Sequence, residues 1–207
     1  MAEADLGFTE RGGYSLVHRT VFVYDALMAE ECIGALLRGG EISYRRVQRR
    51  TGRVVGYQRL PMQEDPLLAG AVQTGDAEHS FEGIILERLQ PNEVKAIDAF
   101  VCKEFDRLTV DVVAEDGFGG TTQLEALMYV CPEESAAKLL DAAGSWSFPD
   151  FRRKHLGACI EHHIKPARQR YLAEEAEEAA AQKAEAAAQK AMASMAVSGA
   201  TAAGLKD

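Results

Sequence analysis

Residues 20–40 read TVFVYDALMAEECIGALLRGG, and this stretch decides the fold class. Its first five residues are β-branched or aromatic and Asp25 follows them, which is typical of a short buried strand that opens into a loop. Across residues 29–37 the apolar side chains recur at helical spacing, and the glycine pair at 39–40 ends that pattern. The stretch therefore predicts a strand, a tight turn and a helix.

Strand patterns outnumber helix patterns in the chain that follows. Short strands are predicted at residues 54–57, 67–72, 81–86, 108–113 and 124–130. Helices are predicted at residues 91–100, 133–143 and 150–170, the last interrupted by Pro166. We therefore predict an α+β fold, a small mixed β-barrel of about six strands with flanking helices and further helices at the C-terminal end.

The last part of the chain differs in composition from the rest. Residues 174–196 are almost entirely Ala, Glu, Gln, Lys and Met, and AAAQKA occurs at both 179–184 and 186–191. This composition predicts one long helix, either solvated or packed closely against a partner, because alanine leaves it no apolar stripe. We divide the chain into a flexible N-terminal arm at 1–18, a globular domain at 19–165 and an alanine-rich helical tail at 166–207.

Composition excludes several classes of function. A net charge of −9 and a pI near 5.1 argue against a general binder of nucleic acids or of anionic membranes. No apolar run approaches the roughly 20 residues that cross a bilayer, and no targeting signal is recognised, so we expect a cytoplasmic protein. The cysteines are scattered, which favours buried thiols over a disulfide framework; they are Cys32, Cys102, Cys131 and Cys159. No cofactor is expected.

Several motifs together resemble one known family. The residues VFVYDAL at 21–27 are similar to FVYGTL, the first strand and substrate loop of the gamma-glutamyl cyclotransferase-like family, in particular its plant avirulence-induced branch. Later motifs keep that family's order: Gly56-Tyr57, PLLAG at 66–70, FEGII at 81–85, IDAF at 97–100, FDR at 105–107 and WSFPDFRRKHL at 146–156. The resemblance spans about residues 20–160 and implies a gamma-glutamyl cyclotransferase-like domain at 19–165.

The resemblance implies a particular chemistry. In that family, backbone N–H groups of the loop bind the substrate's α-carboxylate and the tyrosine hydroxyl helps to hold the substrate. A glutamate accepts a proton from the α-amine, which then attacks the γ-carbonyl and yields 5-oxoproline and a free amine. The resemblance therefore assigns substrate binding to Tyr24, Asp25, Ala26 and Leu27.

The chain departs from the family where the chemistry is most demanding. The glutamate position, directly after IDAF, is Val101, which accepts no proton. Asp25 replaces the usual glycine and Ala26 the usual threonine or serine, and an aspartate repels a carboxylate. We predict a degenerate active site in a binding or structural subunit of a larger assembly. The alternative is an active gamma-glutamyl cyclotransferase in which Glu104 or Glu82 supplies the base.

An arginine-rich stretch offers a contact surface in an otherwise acidic chain. One interpretation is a surface that binds phosphate or an acidic partner. The other is a solvated strand face whose charge the acidic tail balances. The residues of the stretch are Arg45, Arg46, Arg49, Arg50, Arg53 and Arg59. We predict a protein partner at this stretch, chiefly through the first four arginines, or at the C-terminal helix. Membrane binding is not expected, and nucleic acid only as part of an assembly. No metal site is expected, because one helix carries all of Cys159, His155, His162 and His163.

Overall fold

The structure is a computed structural model that describes residues 19–38, 47–62, 65, 67–101, 105–116, 119–140 and 145–203. The chain divides into two compact units, the first ending at Arg168 and the second beginning at Gln169. The predicted arm at 1–18 lies outside the described residues, as do Arg45, Arg46, Cys102 and Glu104.

The described strands are β1 (Val21–Val23), β2 (Gln48–Val55), β3 (Tyr57–Pro61), β4 (Ala69–Gln73), β5 (Ser80–Glu87), β6 (Asp106–Glu115) and β7 (Thr121–Val130). The described α-helices are α1 (Glu30–Arg38), α2 (Pro91–Phe100), α3 (Glu133–Leu140), α4 (Phe148–Lys154), α5 (Leu156–Cys159) and α6 (Lys165–Ala203). A single 3-10 turn, Ala26–Met28, joins β1 to α1, and a π-helical turn, Ile160–Ile164, joins α5 to α6.

Five strands form a closed barrel in the order β1-β5-β2-β6-β7, and β3 and β4 form a separate two-stranded sheet. Neighbouring barrel strands are antiparallel except where β1 meets β7, which it joins in parallel at Val21 and Leu127. The mixed barrel with flanking helices confirms the predicted fold class. Strands β3 and β4 are outside the barrel, and each contributes a residue that hydrogen-bonds Tyr24, the residue directly after β1.

The predicted strand at residues 54–57 is two strands. Gly56 separates β2 from β3 with a φ of +85°, a conformation that glycine adopts without steric cost. Its N–H donates to the His79 carbonyl at 2.8 Å, and its own carbonyl accepts from the N–H groups of Thr74 and Gly75. The apolar pattern runs through the glycine, so only the backbone conformation marks the corner.

Close approach of strands shapes the barrel beside the 3-10 turn. Gly52 of β2 lies directly opposite Gly83 of β5 in the antiparallel ladder. A Cβ on Gly83 would lie 2.5 Å from the Val23 carbonyl oxygen and 2.5 Å from Cζ of Phe22. Glycine at this position therefore lets β5 pass directly against β1.

Pro166 does not interrupt the C-terminal helix as predicted. It is the second residue of α6, and the π-helical turn at Ile160–Ile164 ends two residues before it, which shifts the hydrogen-bond pattern where the proline has no N–H to donate. The Lys165 N–H donates to the Ile160 carbonyl in that turn. The actual break is at His155, between α4 and α5.

The second unit contains the rest of α6, which is helical through Ala203. Residues 172–190 are exposed throughout, so in this part of the described chain the alanine-rich sequence forms a helix that presents its side chains to solvent. The described helices include none with the length and apolar content that crossing a membrane requires.

Candidate functional site

A cavity of about 50 Å³ opens where β1 ends. Aromatic and aliphatic side chains form most of its wall: Phe22, Val23, Leu27, Met62, Leu68, Ala69, Phe100, Val101 and Phe105. The polar residues at the wall are Tyr24, Asp25 and Tyr129. Residues predicted from widely separated motifs therefore meet at one place, and the cavity is largely apolar.

The loop after β1 is held by the side chain of Asp25. Its Oδ1 accepts from the Leu27 N–H at 3.0 Å, which caps the 3-10 turn at Ala26–Met28. Asp25 and Leu27 line the cavity, whereas the side chain of Ala26 is fully buried. The aspartate at this position thus satisfies a backbone donor in the 3-10 turn.

Asp25 is partly buried, and its ionisation responds to that environment. Burial raises the pKa of Asp25 from its ordinary 3.8 to about 6, against the opposing effects of the Leu27 and Asp25 backbone N–H groups and the charge of Arg59. The carboxylate is therefore mostly ionised at pH 7 and brings negative charge to an apolar cavity.

The hydroxyl of Tyr24 forms its hydrogen bonds with backbone groups. The hydroxyl donates to the Tyr129 carbonyl at 2.6 Å and accepts from the Ala71 N–H at 3.1 Å. Burial is the main cause that raises the pKa of Tyr24, so the phenol stays protonated and can donate. The hydroxyl that the resemblance assigned to substrate ties β1 to β7 of the barrel and to β4 of the small sheet.

We expect Tyr24→Phe to lower the free energy of unfolding by about 2–4 kcal/mol, because the Ala71 N–H and the Tyr129 carbonyl lose their buried partner. The aromatic ring still packs against Phe81 at a centroid distance of 5.4 Å. Denaturation with urea measures the change.

The matched control for this substitution is Tyr57→Phe. Tyr57 is half-buried, and its hydroxyl has no hydrogen-bond partner among the described residues, so a change within about 0.5 kcal/mol is expected. Equal effects of the two substitutions would show that the hydroxyl of Tyr24 has no structural role.

Val101 is the position that the resemblance assigns to the family's glutamate. It caps the C-terminal end of α2, and its N–H donates to the Ile97 carbonyl at 2.9 Å. The side chain is half-buried and lines the cavity. The wall at this point consequently offers an aliphatic group and no proton acceptor.

Arg59 supports the cavity from outside, a role that the sequence did not reveal. Its Nη1 donates to the carbonyls of Tyr24 and Glu82, each at 3.1 Å. The guanidinium lies 5.5 Å from the ring centroid of Phe81 and 5.1 Å from that of Trp146. The sequence places Arg59 in a charged stretch, and its two aromatic neighbours belong to segments that are distant in the chain.

A second polar network lies behind the cavity wall. The Tyr129 hydroxyl donates to Oδ1 of Asp98 on α2, and Arg107 of β6 donates to Oδ2 of the same carboxylate at 3.0 Å. Both motif residues, Asp98 and Arg107, thus join a helix to the barrel. The Tyr129 hydroxyl is consequently occupied, as the Tyr24 hydroxyl is.

The two carboxylates proposed as substitute bases have different positions. The side chain of Glu82 is exposed on β5 and does not line the cavity. Glu104 lies outside the described residues, between Val101 and Phe105, both of which line the cavity. Asp25 is the carboxylate that the described part of the chain brings to the wall.

The arginine-rich stretch is largely paired within the molecule where it is described. Arg50 donates to both carboxylate oxygens of Glu87, and Arg49 donates to Glu30 and to the Met28 carbonyl. Partner binding by these two arginines stays a prediction, and a partner would compete with those acceptors.

Comparison with known proteins gives one family. The family model described as "Gamma-glutamyl cyclotransferase, AIG2-like" matches residues 21–148, a stretch that contains every described strand. No sequence match is found among curated proteins.

Two solved Arabidopsis thaliana proteins resemble the structure. The solution structure of At5g39720.1 aligns with a TM-score of 0.50 at 22% identity and covers 69% of this chain and 86% of that one. The solution structure of At3g28950.1 aligns with a TM-score of 0.50 at 21% identity and covers 69% of this chain and 78% of that one. At such identities the likeness is one of fold.

Proposed function

The chain belongs to the AIG2-like gamma-glutamyl cyclotransferase family, and we propose that it is a non-catalytic member that acts as a binding or structural subunit of a larger assembly. The observation that carries this proposal is Val101, an aliphatic side chain at the cavity wall where the family reaction needs a proton acceptor. An α-ammonium group has no lone pair for attack until a base removes a proton, and a general base contributes about 10² to 10⁴ in rate.

The substrate loop supports the same proposal independently. A γ-glutamyl group presents an α-carboxylate to this loop in the family, and here the carboxylate of Asp25 occupies the loop and accepts the Leu27 N–H. Two like charges in a largely apolar cavity repel each other strongly. In the described part of the chain, the cavity thus has a valine at the position that the resemblance assigns to the base, and its loop already carries a carboxylate.

The exposed alanine-rich part of α6 supports a role in an assembly. Residues 172–190 present side chains to solvent along about five turns, which offers a long surface of small residues for close packing. A subunit role predicts that the protein in a native extract migrates in a complex larger than its own 22.5 kDa. Migration as a free 22.5 kDa chain would count against this part of the proposal.

Measurement of 5-oxoproline release tests the loss of catalysis. Purified protein is incubated with gamma-glutamyl amines and gamma-glutamyl amino acids, including glutathione, and we expect no release above the protein-free background. Release by the natural protein would overturn the proposal, and its loss in Asp25→Asn, Glu104→Gln or Glu82→Gln would identify the relocated base.

Variants at positions 25 and 101 test which substitutions account for the absence of 5-oxoproline release that we expect. We expect Val101→Glu alone to remain inactive, because Asp25 still repels the α-carboxylate. In the Asp25→Gly background, Val101→Glu is compared with Val101→Gln, which has nearly the same shape but accepts no proton at neutral pH. Release at least about 10² times faster in the glutamate variant would attribute the inactivity to these two positions.

A further inference from the structure

The cavity differs chemically from a site for an anionic substrate. Its two tyrosine hydroxyls are both occupied, one on the Ala71 N–H and the Tyr129 carbonyl and the other on Asp98. Asp25 is therefore the described polar wall residue whose side-chain hydrogen bonds all come from backbone N–H groups. A carboxylate in an apolar cavity favours a cation and disfavours an anion.

Asp25 forms no ion pair with another side chain in the described part of the molecule. Its hydrogen-bond donors in the described structure are backbone N–H groups, those of Leu27 and of Asp25 itself. The guanidinium of Arg59 acts on Asp25 through its charge, but it donates to the carbonyls of Tyr24 and Glu82. The effect of burial on the pKa of Asp25 exceeds the effect of Arg59, so a further cation beside the carboxylate would be stabilised.

The remaining walls fit a small apolar body with a positive head. The rings of Phe22, Phe100 and Phe105 line the cavity, and aromatic faces attract cations as well as alkyl groups. A volume of about 50 Å³ restricts the occupant to a small molecule. We therefore consider an alkyl chain of about three carbons with one nitrogen.

We infer that the cavity beside Asp25 and Val101 binds the ammonium group of a short alkyl primary amine, with the nitrogen on the Asp25 carboxylate and the alkyl chain against the aromatic wall. The inference rests on the proposed function, since it takes the same cavity as a site of binding and not of turnover. The inference extends the proposed function by naming a ligand: with aspartate at position 25, the loop prefers a cation, whereas the family's loop binds an anionic carboxylate.

Titrations of the isotope-labelled full chain, followed by NMR, test this inference. The probes are n-propylammonium, 1-propanol and propionate, which have similar size and differ in charge. The signals to follow are the amide of Leu27, which donates to Asp25, and the methyl groups of Val101 at the wall. We expect n-propylammonium to bind in a roughly millimolar range and at least about tenfold more tightly than 1-propanol, with propionate weakest.

Three variants assign the preference to the carboxylate. Asp25→Asn keeps an acceptor for the Leu27 N–H but removes the charge, and it is expected to reduce the preference for the ammonium to less than about threefold. Glu82→Gln removes an exposed carboxylate away from the cavity and should keep the full preference. Val101→Phe narrows the cavity and should weaken all three probes.

Equal binding of n-propylammonium and 1-propanol by the natural protein would overturn the inference, as would a preference that persists in Asp25→Asn. Chemical-shift changes outside the cavity residues would do the same. These outcomes are independent of the assay for 5-oxoproline: turnover by the natural protein refutes the proposed function, whereas the titrations refute only the choice of ligand.

Discussion

Gly83→Ala is expected to lower the free energy of unfolding by about 3 kcal/mol or more. The added Cβ would lie 2.5 Å from the Val23 carbonyl oxygen, a backbone atom that cannot turn away, and 2.5 Å from Cζ of Phe22. Relief requires β5 to move from β1, which breaks the pairing of Val23 with Ile84. Because Phe22 and Val23 line the cavity, ligand binding should weaken in the same variant.

The control for Gly83→Ala is Gly157→Ala. Gly157 lies in α5, and a Cβ there meets nothing within 4 Å. Alanine is a better helix former than glycine, so stability should rise by up to about 1 kcal/mol. Urea denaturation of both variants measures the difference, and a Gly83→Ala protein as stable as the natural one would show that β1 and β5 are not held at this separation.

Asp25→Asn is expected to stabilise the protein at pH 7.5, by about 3 kcal/mol at most. Burial raises the pKa of Asp25 from 3.8 to about 6, so the folded protein takes up this proton at a higher pH than the unfolded chain does. Above pH 6 the folded state carries the cost of a buried carboxylate. Asparagine removes that cost and keeps an oxygen for the Leu27 N–H.

The pH dependence gives this prediction its sign. Between about pH 6 and pH 4 the folded state binds more protons at Asp25 than the unfolded state, so the natural protein recovers stability relative to Asp25→Asn as the pH falls. Below about pH 4 the carboxyl is protonated in both states and the two proteins should be equally stable at this site.

Denaturation of the natural protein and of Asp25→Asn from pH 4 to pH 8 measures the difference between their free energies of unfolding. The contributions of the other titrating groups cancel in this difference. Asp106→Asn is the matched control, since Asp106 is an exposed aspartate at the start of β6 and does not line the cavity. A less stable Asp25→Asn protein at pH 7.5 would contradict the argument and show that the charge of Asp25 stabilises the loop.

Local patterns in the sequence were sufficient to predict most of the elements. The apolar run that contains β1 and the Pro91 start of α2 lie where the sequence predicted a strand and a helix, because both depend on neighbouring residues. Two local predictions failed for physical reasons. Gly56 turns the chain between β2 and β3 by its positive φ, and a π-helical turn just before Pro166 lets the helix continue through the proline.

The candidate site was predicted in part. The family resemblance placed Tyr24, Asp25, Leu27 and Val101 together, and all four line one cavity. It could not reveal that the Tyr24 hydroxyl is consumed by Ala71 and Tyr129, because those groups are 47 and 105 residues away in the chain. Long-range partners of this kind leave no periodic signal in a single sequence.

The sequence by itself determined which chemical groups are present at the site: the aspartate at position 25 in the loop and the valine at position 101 after α2. Tertiary structure alone decided the ionisation of these groups and the contacts around them. Burial among aromatic rings raises the pKa of Asp25, and packing from β3 places Arg59 on the loop carbonyl. The reason is that desolvation and electrostatic fields depend on distances between remote segments, which only the folded chain establishes.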